Sequence, residues 1–135
     1  MENAKEYLQQ YHDACLRAER IRHEYERESE LIDSIRSPQG SDGLPHGQSF
    51  GSQVEAKVMK LVAKLEELKD AEIEALQIRR EIFDTIKELP GLMSEVLFER
   101  YINFKTWDDV ATSCFISKRK AFMIHNEALE KLCNK

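Results

Sequence analysis

From Tyr7 to Ile35 a row of mostly apolar or small side chains recurs at Tyr7, Tyr11, Ala14, Ala18, Ile21, Tyr25, Ile32 and Ile35, interrupted only by Glu28. The spacings alternate between four and three residues, which sets the row on one narrow side of a helix. Glu and Arg fill the other faces, so this helix has a single seam to bury and needs a partner for it. A second seam begins near Ser52 with Val54, Val58, Leu61, Leu65 and Leu68. It continues through Ile73, Leu76, Ile82, Phe83 and Ile86 on a shifted register that resembles a stutter. At the usual rise per residue each helix is ~45 to 55 Å long, and neither buries its seam alone.

Between the seams, Ser37 to Gln53 holds four of the five glycines and two of the three prolines, with several serines and no Lys or Arg. That composition predicts a flexible linker. Its seventeen residues suffice to return the chain as an antiparallel hairpin, or to let both helices pair with those of a neighbour. Pro90-Gly91 marks the next break, after which Leu92, Val96, Leu97 and Tyr101 outline a short amphipathic helix. The expected fold is all-α, a long antiparallel helical hairpin or coiled-coil arm followed by a small helix-turn-helix domain. The divisions are a first arm helix over 1–36, the linker over 37–53, a second arm helix over 54–89 and the compact domain over 90–135.

The last third is the most specific. Thr106 is a hydroxyl N-cap, and Asp108 and Asp109 fall in the first turn after it, where carboxylates offset the helix dipole. Val110 and Ala111 form the apolar face of a short helix, with Ala111 small enough to let a second helix cross close by. Ile116 anchors the turn. Ser117 caps the next helix, whose Ala121, Ile124, Ala128 and Leu132 recur on one side as core. On a helical wheel Arg119, Phe122, Met123 and Asn126 lie opposite that core, with Lys118 at its flank. A helix beginning Ser117-Lys118-Arg119-Lys120 suits DNA, whose phosphates Lys neutralises and whose guanine edges Arg can pair. Lys118, Arg119 and Met123 are expected to face bases, and Ser117 and Lys120 the backbone.

The stretch from Thr106 to Leu132 resembles the fourth region of bacterial sigma factors, without a gap, through Thr106, Ala111, Ser117, Ile124, Ala128, Leu129, Lys131 and Leu132. Glu99-Arg100-Tyr101-Ile102 resembles the end of the preceding helix of that fold. A sigma-like tail on a long charged helical arm is similar to the small phage regulators of the ArpU/RinA type. The resemblance implies control of phage or prophage transcription, double-stranded DNA is the expected partner, and the arm is expected to set the oligomeric state or to contact RNA polymerase. Phe115 stands where that pattern commonly has Gly, so a left-handed backbone there is expected to be avoided or strained. Phe122 and Met123 replace an Arg and a Gln, and such an apolar pair packs on the arm, on a partner subunit or against thymine methyl groups.

Charge is unevenly spread. The chain carries a net charge of −5, but residues 113–135 hold five basic and two acidic side chains, a small basic footprint that calls for oligomerisation through the arm to bind DNA firmly. Arg100 and Lys105 are candidates for a flanking phosphate or plain surface charges. Cys15, Cys114 and Cys133 are too far apart and too few for a disulfide scaffold or zinc ribbon. His12, Cys15 and His23 fall short of a structural zinc site, so neither metal nor cofactor is expected. His125 is expected at a helix surface or boundary. No phosphate loop and no nucleophile with a base and an orienting group occurs, so no enzyme is expected. No apolar run spans a bilayer and the first residues lack a signal-peptide pattern, which predicts a cytoplasmic protein. Two rival functions share these features: a DNA-packaging component like the small subunit of a phage terminase, and a protein-interaction module that has lost DNA contact.

Overall fold

A computed structural model describes residues 3–35 and 47–134. The chain is all-α: α1 (Ala4–Ile35), α2 (Gly47–Ile86), α3 (Gly91–Leu97), α4 (Trp107–Cys114) and α5 (Lys118–Cys133). Among the described residues there is no strand, and no helix is long and apolar enough to cross a membrane. Helix α2 starts at Gly47, so residues 47–53, expected in the linker, are helical. Once a helix is nucleated each further residue adds one hydrogen bond, and an end residue costs little to include. Residues 37–46 of that expected linker lie outside the described residues.

The chain divides into two compact units, one within residues 3–15 and 74–134 and the other within 16–73. The boundary expected at residue 90 is therefore not where the fold divides. The reason is a shared core: Leu8 of α1 and Ile82 and Ile86 of α2 are buried together with Leu89, Leu97, Tyr101, Ile102 and Ala128. The ends of both arm helices thus belong to the C-terminal unit. Leu8, which the periodic reading of α1 passed over, is fully buried. Its neighbour Tyr7 meets Thr85 hydroxyl to hydroxyl at 3.2 Å.

In the other unit α1 and α2 pair within one chain and run antiparallel. Arg22 donates to Glu72 at 2.7 Å and Lys64 to Glu24 at 3.1 Å, while Glu28, Leu31 and Ile32 line a groove with Lys57 and Lys60. Partner numbers in α2 fall as those in α1 rise. Ala18, Ile32 and Leu68 are buried here, a thin seam of small and branched side chains. Glu28, which broke the apolar row, has lysines beside it.

Along α2 the buried row is Leu68, Ala75, Ile82 and Ile86, which continues the register of Leu61 and Leu65 without a shift. The stutter expected after Leu68 does not occur. Ile73 and Leu76, assigned to the seam on hydrophobicity, are 53% and 64% exposed. Ala75 takes the seam position instead, because a helix stripe is set by angle and a small residue there lets the helices approach.

Candidate nucleic-acid interface

The short helix expected after Pro90-Gly91 is α3, and it passes into a π-helical turn, Phe98–Ile102. Asn103 N–H closes that turn on the Phe98 carbonyl at 3.1 Å. The extra residue per turn brings Tyr101 and Ile102 both into the core. Residues 103–106 then deliver the chain to α4, and local bonds fix them. Asn103 Nδ2 donates to Glu99 Oε1 at 3.0 Å, Arg100 donates to the Lys105 carbonyl at 2.8 Å, and Lys105 Nζ donates to Ser113 Oγ at 2.9 Å. Lys105 also pairs with Glu99. That ammonium, with help from Asn103, holds the Glu99 carboxyl below its ordinary range against the opposing effect of burial. Phe104 in this segment has φ 56° and stacks on Tyr11 at 5.2 Å.

Both helices of the expected helix-turn-helix are capped as their sequences imply. Thr106 Oγ1 accepts from Asp109 N–H at 3.2 Å, and Ser117 Oγ accepts from Lys120 N–H at 3.1 Å. Val96, Val110, Ala111 and Ala121 form the buried contact between α3, α4 and α5, with Trp107, Cys114, Ile116 and Ile124 around it. The facing alanines Ala111 and Ala121 let α4 and α5 come close. Burial raises the Cys114 thiol above its ordinary pKa.

The turn keeps the left-handed residue that Gly usually supplies. Phe115 sits at φ 59°, ψ 42°, its N–H bonded to the Thr112 carbonyl, while Ile116 N–H reaches the Ala111 carbonyl at 3.0 Å. These are the two bonds of a Schellman motif, completed by Ile116 packing back on the helix it closes. The expected strain is present, and the turn is undistorted.

On α5 the buried side is Ala121, His125 and Ala128. His125 was expected at the surface or a boundary and is instead buried. The correction follows from its partners: Tyr101 Oη lies 2.7 Å from Nε2, and the Trp107 ring meets it edge-on at 4.8 Å. Asn126 Oδ1 lies 3.4 Å from Nδ1. An amide oxygen only accepts, so a neutral ring with its proton on Nδ1 satisfies both contacts, and the Tyr101 hydroxyl donates to Nε2. Burial pushes the imidazole pKa down, and the Lys5 and Arg100 charges push the same way against the Asn126 bond. Nothing in the spacing of Tyr101, Trp107 and His125 announces this cluster, since aromatic and imidazole groups carry no helical period of their own.

Of the sequence-expected contact residues, Arg119 and Met123 lie opposite the buried side of α5, Lys118 and Lys120 lie at its flanks, and Ser117 is its N-cap. Lys118, Arg119, Lys120 and Met123 are exposed. Lys118 Nζ pairs with Asp108 at 3.4 Å, which relieves part of the cost of a cation at a helix N-terminus. Ser117 Oγ is occupied as an acceptor, but its hydroxyl proton is free to point outward. Phe122 packs on Trp107 at 4.6 Å, so it belongs to the fold. Arg100 stands 4.7 Å from the centre of the same Trp107 ring system, and together with Lys105 spends its head group on organising the turn. Comparison of the chain with protein-family models, curated proteins and solved structures returns no match.

Proposed function

We propose that this chain is a sequence-specific DNA-binding regulator of phage or prophage transcription, of the ArpU/RinA type, acting in the cytoplasm of a bacterial cell. The observation that carries the reading is α5 itself. Its inner side is locked by Ala121, His125 and Ala128, while its capped N-terminal end presents Lys118, Arg119 and Lys120 to solvent. A rigid helix with an exposed basic start is what major-groove reading requires. Arg119 and Lys118 meet base edges, Met123 lies along the same face, and the Ser117 hydroxyl and Lys120 hold the backbone.

One such element binds weakly, because few phosphates are neutralised. The helical arm supplies the second copy by self-association, or a docking surface for RNA polymerase. The test is selection of bound DNA from a random pool at two salt concentrations, with the wild type beside a Lys118→Ala/Arg119→Ala double variant. An enriched motif that the double variant loses supports base reading, and its symmetry reports the number of subunits. Failure to enrich any sequence at either salt sinks the reading in favour of assembly or a protein partner.

A further inference from the structure

Phe115 is 94% exposed and sits at φ 59°, a backbone conformation strained for any side chain. The Schellman closure requires that conformation, but it does not require a ring: Gly would meet the same two hydrogen bonds without strain. The ring takes no part in the core packed beneath it, which Ile116 serves instead. A strained residue whose side chain does nothing for the fold points to use outside it.

Its place in the chain narrows the use. Phe115 immediately precedes Ile116 and the Ser117 cap, at the end of α5 that carries the exposed cations Lys118, Arg119 and Lys120. Those three charges favour a polyanion as the occupant of this end. Within the major groove one apolar group is available to an aromatic ring beside such cations, the C5 methyl of thymine. Phe122 on α5 packs one side on Trp107 and is 39% exposed, whereas Phe115 in the turn is 94% exposed, which makes Phe115 the aromatic side chain more available for this contact.

We infer that Phe115 reads thymine by packing on its methyl group at the edge of the site that α5 occupies. The inference rests on the DNA-binding reading, and its test separates the two. The full-length chain first selects its site from a random pool. Each thymine of that site is then replaced singly by deoxyuridine, which removes the methyl and leaves every hydrogen-bonding edge intact. Affinity is measured for the wild type and for Phe115→Gly, a variant that relieves backbone strain and so keeps the fold.

The expected result is a loss of about fourfold at one thymine for the wild type, the worth of one buried methyl. Phe115→Gly binds thymine and deoxyuridine equally at that position and responds normally elsewhere. Equal deoxyuridine responses in both proteins, no response in either, or a selected site without thymine overturns the role of Phe115 while leaving DNA binding in place. Selection of no DNA overturns both, and directs Phe115 to a protein surface.

Discussion

Tyr101 and His125 lie with their rings 5.7 Å apart and 19° from parallel, joined by a 2.7 Å hydrogen bond. The contact links the π-helical turn after α3 to the buried side of α5. The helix with the exposed basic end is therefore held in place through an ionisable ring whose pKa burial lowers.

Stability should fall on mild acidification. Burial lowers the His125 pKa in the folded chain, whereas in the unfolded chain it takes its ordinary value of about 6.5. The unfolded state therefore binds a proton first, so the contribution is complete above pH ~6.5 and is lost as pH falls from there through the folded pKa. Lys5 and Arg100 add to the cost of a charged ring. Thermal melts between pH 8 and 5, a range of about three units around the ordinary value, should show a falling midpoint. A His125→Phe variant should lose much of that slope, and an identical slope in the variant would assign it to other groups.

Replacing the strained turn residue should stabilise the fold. Phe115→Gly keeps both carbonyl bonds of the turn and relieves a left-handed side chain, a gain of about 1 kcal/mol. Phe115→Ala keeps a Cβ and should gain much less. Urea denaturation of the three proteins measures this directly, and a Gly variant no more stable than the wild type would show that the ring contributes to folding after all.

The parts of this fold that repeat were readable, and the parts made by single contacts were not. Seam residues such as Ala14, Ala18, Leu61 and Leu65 announce themselves by spacing, and the caps Thr106 and Ser117 by chemistry. Where hydrophobicity and angle disagree, as at Ile73 and Ala75, hydrophobicity misleads: the small residue is buried and the large one exposed. The π-helical turn leaves no mark in a pattern read at 3.6 residues, although it sets Tyr101 opposite His125. At the interface, the exposed cations follow from the wheel. What the wheel misses is that Arg100 and Lys105 are occupied inside the fold, since such ties depend on a turn rather than on a period.

Ser117 offers a way to separate capping from DNA contact. Ser117→Ala removes the acceptor for Lys120 N–H and should cost about 1 kcal/mol of stability. Ser117→Asp restores a cap acceptor, and its charge also suits the helix dipole, but it should repel phosphate. The Asp variant is therefore expected to melt close to the wild type while binding DNA more weakly. Unimpaired DNA binding by Ser117→Asp would remove Ser117 from the interface and leave it a purely structural cap.

The register of α2 can be decided by two substitutions in the same unit. Ile82 is fully buried in a core that includes Leu8, Leu97 and Tyr101, so Ile82→Ala should lose about 2–5 kcal/mol through transfer and cavity costs. Because that core joins both arm helices to the C-terminal helices, the loss should be shared: amide exchange should accelerate in α3 and α5 as well as in α2. Leu76 is exposed, and Leu76→Ala should change stability by no more than about 0.5 kcal/mol. A stuttered seam, as the hydrophobic pattern alone implies, would instead make Leu76 costly. Equal and large losses at both positions would mean that the Leu76 face is covered in solution, by self-association of the arm, and the concentration dependence of the Leu76→Ala melt would then reveal it.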